Sequence, residues 1–238
     1  MAKKIISAHQ PAYLPWLGYI HKVALSNEFI ILDNVQFEKN SFTNRNKIKG
    51  PKGVLWLTVP LHLSDHFHKN INQIEIDNST NWSEKHWTSI FYNYKKAPFF
   101  DKYSGFLEDM YHRKWDSLLP LTMHYLKFFL DEVGIHTELL LQSNLGIKSK
   151  KNKLILDLCK TRNADIFIFG NFGKDYADQK LFSSNNINVV FQEYNCSKYQ
   201  QLWGEFIPNL TSLDALLNLG PRKTCDIIFE NNISKIVQ

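Results

Sequence analysis

Apolar positions follow two different periods along this chain. The run from residue 3 to residue 8 is apolar enough for a buried strand, and the run from 29 to 32 for a second strand that ends at Asp33. Between them the apolar spacing predicts a helix with Pro15 at its first position. The apolar residues of this helix are Trp16, Leu17, Ile20, Val23 and Ala24. Strand, helix and strand in about thirty residues predict a βαβ unit.

The middle of the chain changes pattern twice. Residues 37–61 alternate in polarity around a break at 50–53, which predicts a β-hairpin, and residues 71–76 predict a further strand. From 79 to 134, three stretches carry apolar and aromatic residues at helical spacing, and Gly134 is placed to end the third helix. We interpret residues 79–134 as a helical insertion or cap over the sheet.

The rest of the chain returns to alternating strands and helices. Strands are predicted at 137–142, 165–169 and 189–192, and a helix at 151–161. This order favours a mainly parallel sheet with flanking helices. We therefore expect a single α/β domain over residues 1–238, Rossmann-like and by analogy nucleotidyltransferase-like, to which the hairpin and the helical insertion are added.

Composition limits the classes of function. The chain has 238 residues, of which 44% are hydrophobic, so it is long enough to bury a full core. It contains neither an apolar stretch of the roughly 20 residues that span a membrane nor a signal peptide, so we expect a cytoplasmic protein without a transmembrane segment. Its three cysteines are widely spaced, which favours neither a disulfide framework nor a zinc site.

Positive charge is concentrated in two places. The net charge is +5, with five Lys or Arg residues within 39–52 and four within 148–153. Such clusters suit a phosphate-bearing partner, and they also fit a solvated hairpin and a lysine-rich loop. No helix-turn-helix, zinc-finger or RNA-binding motif accompanies them, so DNA is not an expected partner.

Polar side chains follow the first two predicted strands. Because the carboxyl ends of parallel strands lie at one edge of a sheet, these side chains are expected to converge on one crevice. The alternative for Asp33 is a turn former, and for His21 a core or surface histidine. The candidate binding residues are His9, Gln10, Tyr13, Trp16, His21 and Lys22 after the first strand and Asp33, Asn34 and Gln36 after the second.

Two further segments offer contacts for an anion. In the hairpin, Arg45 presents a planar fork that suits phosphate or carboxylate. With its neighbours it forms a candidate anion clamp, for which the alternative is a polar hairpin face. After the strand 165–169, a glycine-bearing loop leads into a helix, an arrangement that directs backbone N–H groups at an anion. The candidates are Asn44, Arg45 and Lys47 in the hairpin and Gly170, Gly173, Lys174 and Tyr176 in the loop.

A group of histidines has the composition of a metal site but not its framework. His62, His66 and His68, with Asp65 among them, fall in a polar loop that no strand or helix pattern fixes. We therefore expect no metal site there. The sequence identifies no cofactor.

Three motifs resemble one known family. They are HQPAYLPWLGYIHK at residues 9–22, LDLCK followed by the Gly170 to Tyr176 loop, and FIPNLTSLDALLNLG at 206–220. Together they resemble the WbqC-like family of bacterial polysaccharide gene clusters over roughly residues 3 to 230. The resemblance implies a role in O-antigen or lipopolysaccharide biosynthesis, with modification of an amino sugar. For some members a glycine transferase role has been proposed.

The residues and the resemblance together favour a transferase. It would place a glycyl or similar acyl group on the amine of a nucleotide-linked amino sugar, with His9 as the general base and Gln10 and Tyr13 as substrate contacts. The acyl donor stays open among a thioester, an aminoacyl-tRNA and an adenylate. Two alternatives are an ATP-dependent ligase that uses the Lys174 loop for triphosphate and a non-catalytic partner that binds a sugar nucleotide.

Overall fold

The fold is an α/β sheet with one separate hairpin. The computed structural model describes residues 3–63 and 69–236. Five strands form one parallel sheet, which confirms the mainly parallel sheet predicted from the sequence. They are β1 Ile5–His9, β2 Glu28–Ile31, β5 Glu138–Leu141, β6 Ile166–Phe169 and β7 Asn188–Phe191, and they lie in the order β5-β2-β1-β6-β7. The predicted hairpin consists of β3 Arg45–Gly50 and β4 Gly53–Thr58, which pair antiparallel.

Helices cover both faces of this sheet. In β2, Phe29 and Ile31 belong to one core and Ile30 to another, as alternation along a strand requires. The first core includes residues of α1, α2, α3, α4 and α7, and the second residues of α5 and α6. Their bounds are α1 Leu17–Ala24, α2 Trp82–Tyr94, α3 Phe100–His112, α4 Leu118–Val133, α5 Lys151–Thr161, α6 Gln179–Ser183 and α7 Ser212–Phe229.

The helical segment predicted at 79–134 is present as α2, α3 and α4. The last of these ends at Gly134, whose φ of 71° is in the left-handed region, as expected for a helix C-cap. Trp82 and Trp87 are buried in the first core. The three helices therefore share one core with α1 and strand β2.

Two sequence predictions about local structure were wrong. The segment predicted as a strand at 71–76 forms a 3-10 turn over Ile71–Gln73, because the Gln73 side chain accepts a hydrogen bond from Asn70 N at 2.9 Å and closes a capping box. Pro15 is not in the first helical turn. Helix α1 begins at Leu17, and Pro15 instead offers its carbonyl to Ser212 N at 2.8 Å.

The start of α1 depends on a close contact that only glycine allows. A Cβ atom built on Gly18 would lie 2.3 Å from Cη2 of Trp16. The indole therefore lies directly over the Gly18 backbone. Its other neighbours include Tyr194, whose ring centroid is 5.5 Å from that of Trp16.

Replacement of Gly18 by Ala should destabilise the protein. The added methyl group collides with the Trp16 ring, so we expect the free energy of unfolding to fall by about 1–3 kcal/mol. Gly105 in α3 is the matched control, since its Cβ would meet nothing within 4 Å. There, Ala should raise the free energy by up to about 1 kcal/mol. Urea unfolding compares the two variants, and effects of the same sign would contradict the packing argument.

Candidate functional site

The strand order reverses between β1 and β6, which is where a ligand site is expected in a sheet of this kind. From β1 the sheet grows one way to β2 and β5, and from β6 the other way to β7. In open α/β sheets, ligands bind at the carboxyl ends of strands where the order reverses. We call this space, between the loop that starts at Gln10 and the loop 170–176, the crevice. Continuation of the β1–β6 register places His9 opposite Gly170.

His9 ends β1 at the crevice with one ring nitrogen occupied. Its side chain is exposed, its Nδ1 lies 3.0 Å from Gln10 O, and its ring meets Tyr19 edge-on with centroids 5.1 Å apart. A carbonyl oxygen only accepts, so Nδ1 carries the hydrogen and donates it. In the neutral ring the lone pair is then on Nε2. No described residue forms a hydrogen bond with His9 Nε2.

Surrounding groups keep this imidazole neutral. The ring is open to solvent at one side, but partial desolvation by the protein around it lowers its pKa, and the Lys22 ammonium lowers it further. They outweigh the hydrogen bond to the Gln10 carbonyl, which raises the pKa, so the pKa of His9 is about 4 and the ring is unprotonated at neutral pH. A neutral imidazole with a free lone pair is the form that accepts a proton.

Lys22 is a buried cation at the same place. Its Nζ donates to Ala8 O at 2.9 Å, and burial lowers its pKa to about 7. Among the described residues, no carboxylate oxygen lies within 4.0 Å of this ammonium. Lys22 therefore holds the end of β1, and at neutral pH its amine is protonated in part, so that it can supply positive charge near His9.

Gln10 is the second polar side chain of the crevice. Its Oε1 accepts a hydrogen bond from Thr43 Oγ1 at 3.4 Å, which connects the loop after β1 to the start of the hairpin. The same connection is made by Tyr13 N, which donates to Phe42 O at 3.0 Å. The amide nitrogen of Gln10 has no hydrogen-bond partner among the described residues, so it is available as a donor.

Of three other candidates near the end of β1, Tyr13 and His21 lie in the core and Trp16 is half-buried against it. Tyr13 is 1% exposed, and its hydroxyl contacts His86 Nδ1 at 2.9 Å and the Tyr111 hydroxyl at 2.6 Å. His21 is fully buried between Gln192 and the Ile233 carbonyl, which is the core-histidine alternative. Trp16 packs over Gly18, so these side chains are placed to support the loop rather than to face the crevice.

Of the polar residues after β2, Asp33 and Asn34 form hydrogen bonds within the protein, whereas Gln36 is exposed. Asp33 is buried, and its carboxylate accepts from Ser143 N at 2.9 Å and from Asn72 Nδ2 at 3.4 Å. Asn34 accepts from Asn70 Nδ2 at 2.8 Å, and Gln36 is exposed beside the same segment. They tie together the turns at this edge of the sheet and do not join His9.

The hairpin candidates lie beside the crevice. Asn44 is buried and donates to Val59 O at 2.8 Å. Arg45 donates to Asn40 O at 2.6 Å, and its guanidinium lies 4.8 Å from the Trp56 ring. Lys47 is half-buried on the same strand. The structure thus fixes the Arg45 fork on the hairpin itself, and Gln10–Thr43 is the contact that joins hairpin and crevice.

The glycine-bearing loop after β6 borders the crevice on its other side. Gly170 precedes a 3-10 turn, and Gly173 packs so closely on Phe169 that a Cβ would lie 2.5 Å from that side chain. Lys174 forms an ion pair with Glu193. Tyr176 is exposed, as is Phe172, which sequence analysis did not select and which is 81% exposed. The exposure of Phe172 could not be predicted from hydrophobic periodicity, because Phe172 lies in a loop.

The comparisons with known proteins agree on one family. The model of the WbqC-like protein family matches residues 10–225. This chain belongs to the WbqC-like family. An uncharacterized protein of Mycobacterium tuberculosis, Rv1507c, is 32% identical over 219 residues, which cover 91% of this chain and 94% of the relative. No solved structure matches the chain. The WbqC-like match begins at Gln10, the residue directly after His9.

The described residues contain neither a helix that could span a membrane nor a cluster of metal ligands. None of the helices within 3–63 and 69–236 has the length and apolarity to cross a bilayer. The same described ranges contain no grouping of His, Cys, Asp and Glu side chains that would hold a metal ion. Of the histidines considered above, His66 and His68, with Asp65, lie outside the described residues, and His62 lies 3.9 Å from Asp77.

His86 should make the protein sensitive to acid. Burial lowers its pKa from 6.5 to about 4, so the folded state disfavours the charged ring. The resulting stability is complete above about pH 6.5 and is lost as the pH falls towards 4, at about 3 kcal/mol in total. His86→Gln should therefore show a smaller loss of unfolding free energy between pH 7 and pH 4 than the wild type. Parallel pH curves for the two proteins would contradict this assignment.

Removal of the Lys22 charge should raise the pKa of His9. In Lys22→Met the ammonium is gone, so the protonated imidazole is less disfavoured and the pKa moves towards its ordinary 6.5. NMR titration of ring-labelled histidine measures the shift. Lys174→Met is the control, because that ammonium is paired with Glu193. A His9 titration curve that is the same in Lys22→Met as in the wild type would show that Lys22 does not act on it.

Proposed function

We propose that this protein transfers a glycyl or similar acyl group to the amine of a nucleotide-linked amino sugar in surface polysaccharide biosynthesis. The observation that carries the proposal is the free Nε2 lone pair of His9 at the point where the strand order reverses. The substrate class comes from the resemblance to the WbqC-like family. The acyl donor is a thioester, an aminoacyl-tRNA or an adenylate.

The chemistry needs a base and a hydrogen-bond donor at one place. The sugar amine is protonated in water, and His9 Nε2 accepts the proton that makes it a nucleophile. The amine attacks the acyl carbonyl carbon, the new C–N bond forms, and the bond from that carbon to the donor's leaving group breaks. The proton on His9 then passes to the leaving group, and the second proton that the nitrogen loses on becoming an amide is released to solvent. The Gln10 amide nitrogen is available to donate to the oxyanion or to a sugar hydroxyl.

Charge around the crevice supports a phosphate-bearing substrate. Lys22 lies beneath His9 without a carboxylate partner among the described residues, and Arg45 and Lys47 lie on the adjoining hairpin. Lys174, in contrast, is engaged by Glu193. This ion pair favours the transferase over the ATP-dependent ligase, which would need that ammonium for triphosphate.

His9→Ala should slow turnover strongly and leave binding intact. Purified protein is incubated with dTDP-, UDP- or GDP-linked amino sugars and each class of glycyl donor, and mass spectrometry detects the acylated sugar nucleotide. Loss of a general base should slow the reaction by about 10²–10⁴-fold. The sugar nucleotide should still raise the melting temperature of the variant, since binding to the folded state alone stabilises it.

A second histidine variant provides the control. His112 lies on the surface of α3, with 53% of its side chain exposed, so His112→Ala should retain full activity. Product formation by His9→Ala within a fewfold of wild type would remove His9 from the reaction. Product that forms only when ATP is added would point to the ligase, and binding without any product would point to a non-catalytic partner.

A further inference from the structure

The hairpin carries an apolar strand edge that nothing described covers. Val54, Leu55 and Trp56 in β4 are 44%, 40% and 45% exposed. Because side chains alternate, Leu55 faces one side of the hairpin and the other two face the opposite side, so both faces are apolar here. Among the described strands β4 pairs only with β3. An edge of this kind is a template for another strand.

The hydrogen bonds at the base of the hairpin show which backbone groups point outwards. Val59 N donates to Asn44 O at 2.8 Å, in register with the hairpin, so these two residues form a hydrogen-bonded pair. Such pairs alternate along an antiparallel ladder. It follows that Val54, Trp56 and Thr58 direct their N–H and C=O groups away from β3.

Val54 and Trp56 have both their outward backbone N–H and their outward C=O available. No described residue forms a hydrogen bond with the outward N–H and C=O of Val54 and Trp56. Thr58 differs, because its backbone takes part in a hydrogen bond with His86. The free edge is therefore a three-residue segment centred on Leu55.

We propose that β4 pairs antiparallel with β4 of a second copy of this chain, about a two-fold axis at Leu55. Val54 then lies opposite the second copy's Trp56, and the reverse pair follows by symmetry, which makes four hydrogen bonds between chains. Every free group of the edge is used. A two-fold axis at Trp56 would instead bring Thr58, whose backbone is already engaged, opposite Val54.

Charge does not oppose this pairing. On β3, the Lys49 ammonium is turned towards the Gly204 and Glu205 carbonyls, and Lys52 lies in the exposed turn, outside the three paired residues. Lys47 of each copy would be separated by three strand spacings, about 14 Å, which exceeds the Debye length of about 8 Å at physiological salt. Like charges across the axis are therefore largely screened.

The size of the contact sets the expected strength. Pairing of three residues per chain should bury less accessible surface than the roughly 1,200 Å² that a stable interface needs. Phe42, which is exposed with its ring 5.9 Å from that of Trp56, is placed to extend it. The dimer should accordingly be reversible and depend on protein concentration.

Cysteine cross-linking tests the register. In the proposed dimer, Leu55 of one chain lies opposite Leu55 of the second copy as a non-hydrogen-bonded pair. Their Cα atoms would be about 4.5 Å apart, a distance that a disulfide can span. Leu55→Cys should give a covalent dimer on oxidation. Val54→Cys should not, because Val54 faces Trp56 and is two residues out of register with its own copy. The wild type measures how much cross-linking the native cysteines give by themselves. Cys159 is buried, and Cys196 and Cys225 are half-buried.

Sedimentation equilibrium tests the dimer without cross-linking. The wild type should show a monomer–dimer equilibrium, and Leu55→Glu, which places two carboxylates at the axis, should raise the dissociation constant at least tenfold with an unchanged melting temperature. A monomeric wild type at all concentrations, a dimer unaffected by Leu55→Glu, or cross-linking of Val54→Cys as efficient as that of Leu55→Cys would each overturn the proposal. None of these outcomes bears on His9.

Discussion

The reversal of strand order between β1 and β6 is the constraint on which the rest of this structure depends. The chain leaves β1 through α1, which packs in one core, and leaves β6 towards α6, whose Phe182 packs in the other. The two loops therefore leave the sheet towards opposite faces, which is the arrangement that forms a ligand crevice at the carboxyl ends of parallel strands. His9 is at this edge because it is the last residue of β1. Its Nδ1 is hydrogen-bonded to the Gln10 carbonyl, which leaves Nε2 as the nitrogen with a free lone pair.

Buried polar groups hold the elements around that crevice in place. Asp214 in α7 accepts from the hydroxyls of Tyr94 and Tyr199, each at 2.7 Å, and Tyr94 also accepts from Lys49 N at 3.0 Å. This network joins α2, α7 and the inner strand of the hairpin. Breaking it would leave a buried carboxylate without partners, which is costly. The hairpin is thus fixed on its β3 side while β4 stays exposed, which is what makes its outer edge a surface for another chain.

Sequence patterns predicted the elements better than the site. Strand β6 and the helix end at Gly134 follow from local signals, an unbroken apolar run and a left-handed glycine. Local signals do not show which polar residues face the crevice. Tyr13 and Asp33, for example, form hydrogen bonds with residues far along the chain, Tyr111 and Ser143. The exposure of β4 could not be predicted from the sequence either, because an apolar run does not show whether its strand has neighbours on both sides.

The most direct test of the central claim is a crystal structure of the protein with a nucleotide-linked amino sugar. The account predicts that the sugar amine lies in the crevice within hydrogen-bond reach of His9 Nε2, about 2.6–3.2 Å away or connected to it through one water. It also predicts that the diphosphate lies towards the hairpin cations. A sugar bound elsewhere, with His9 in contact with solvent alone, would contradict the account.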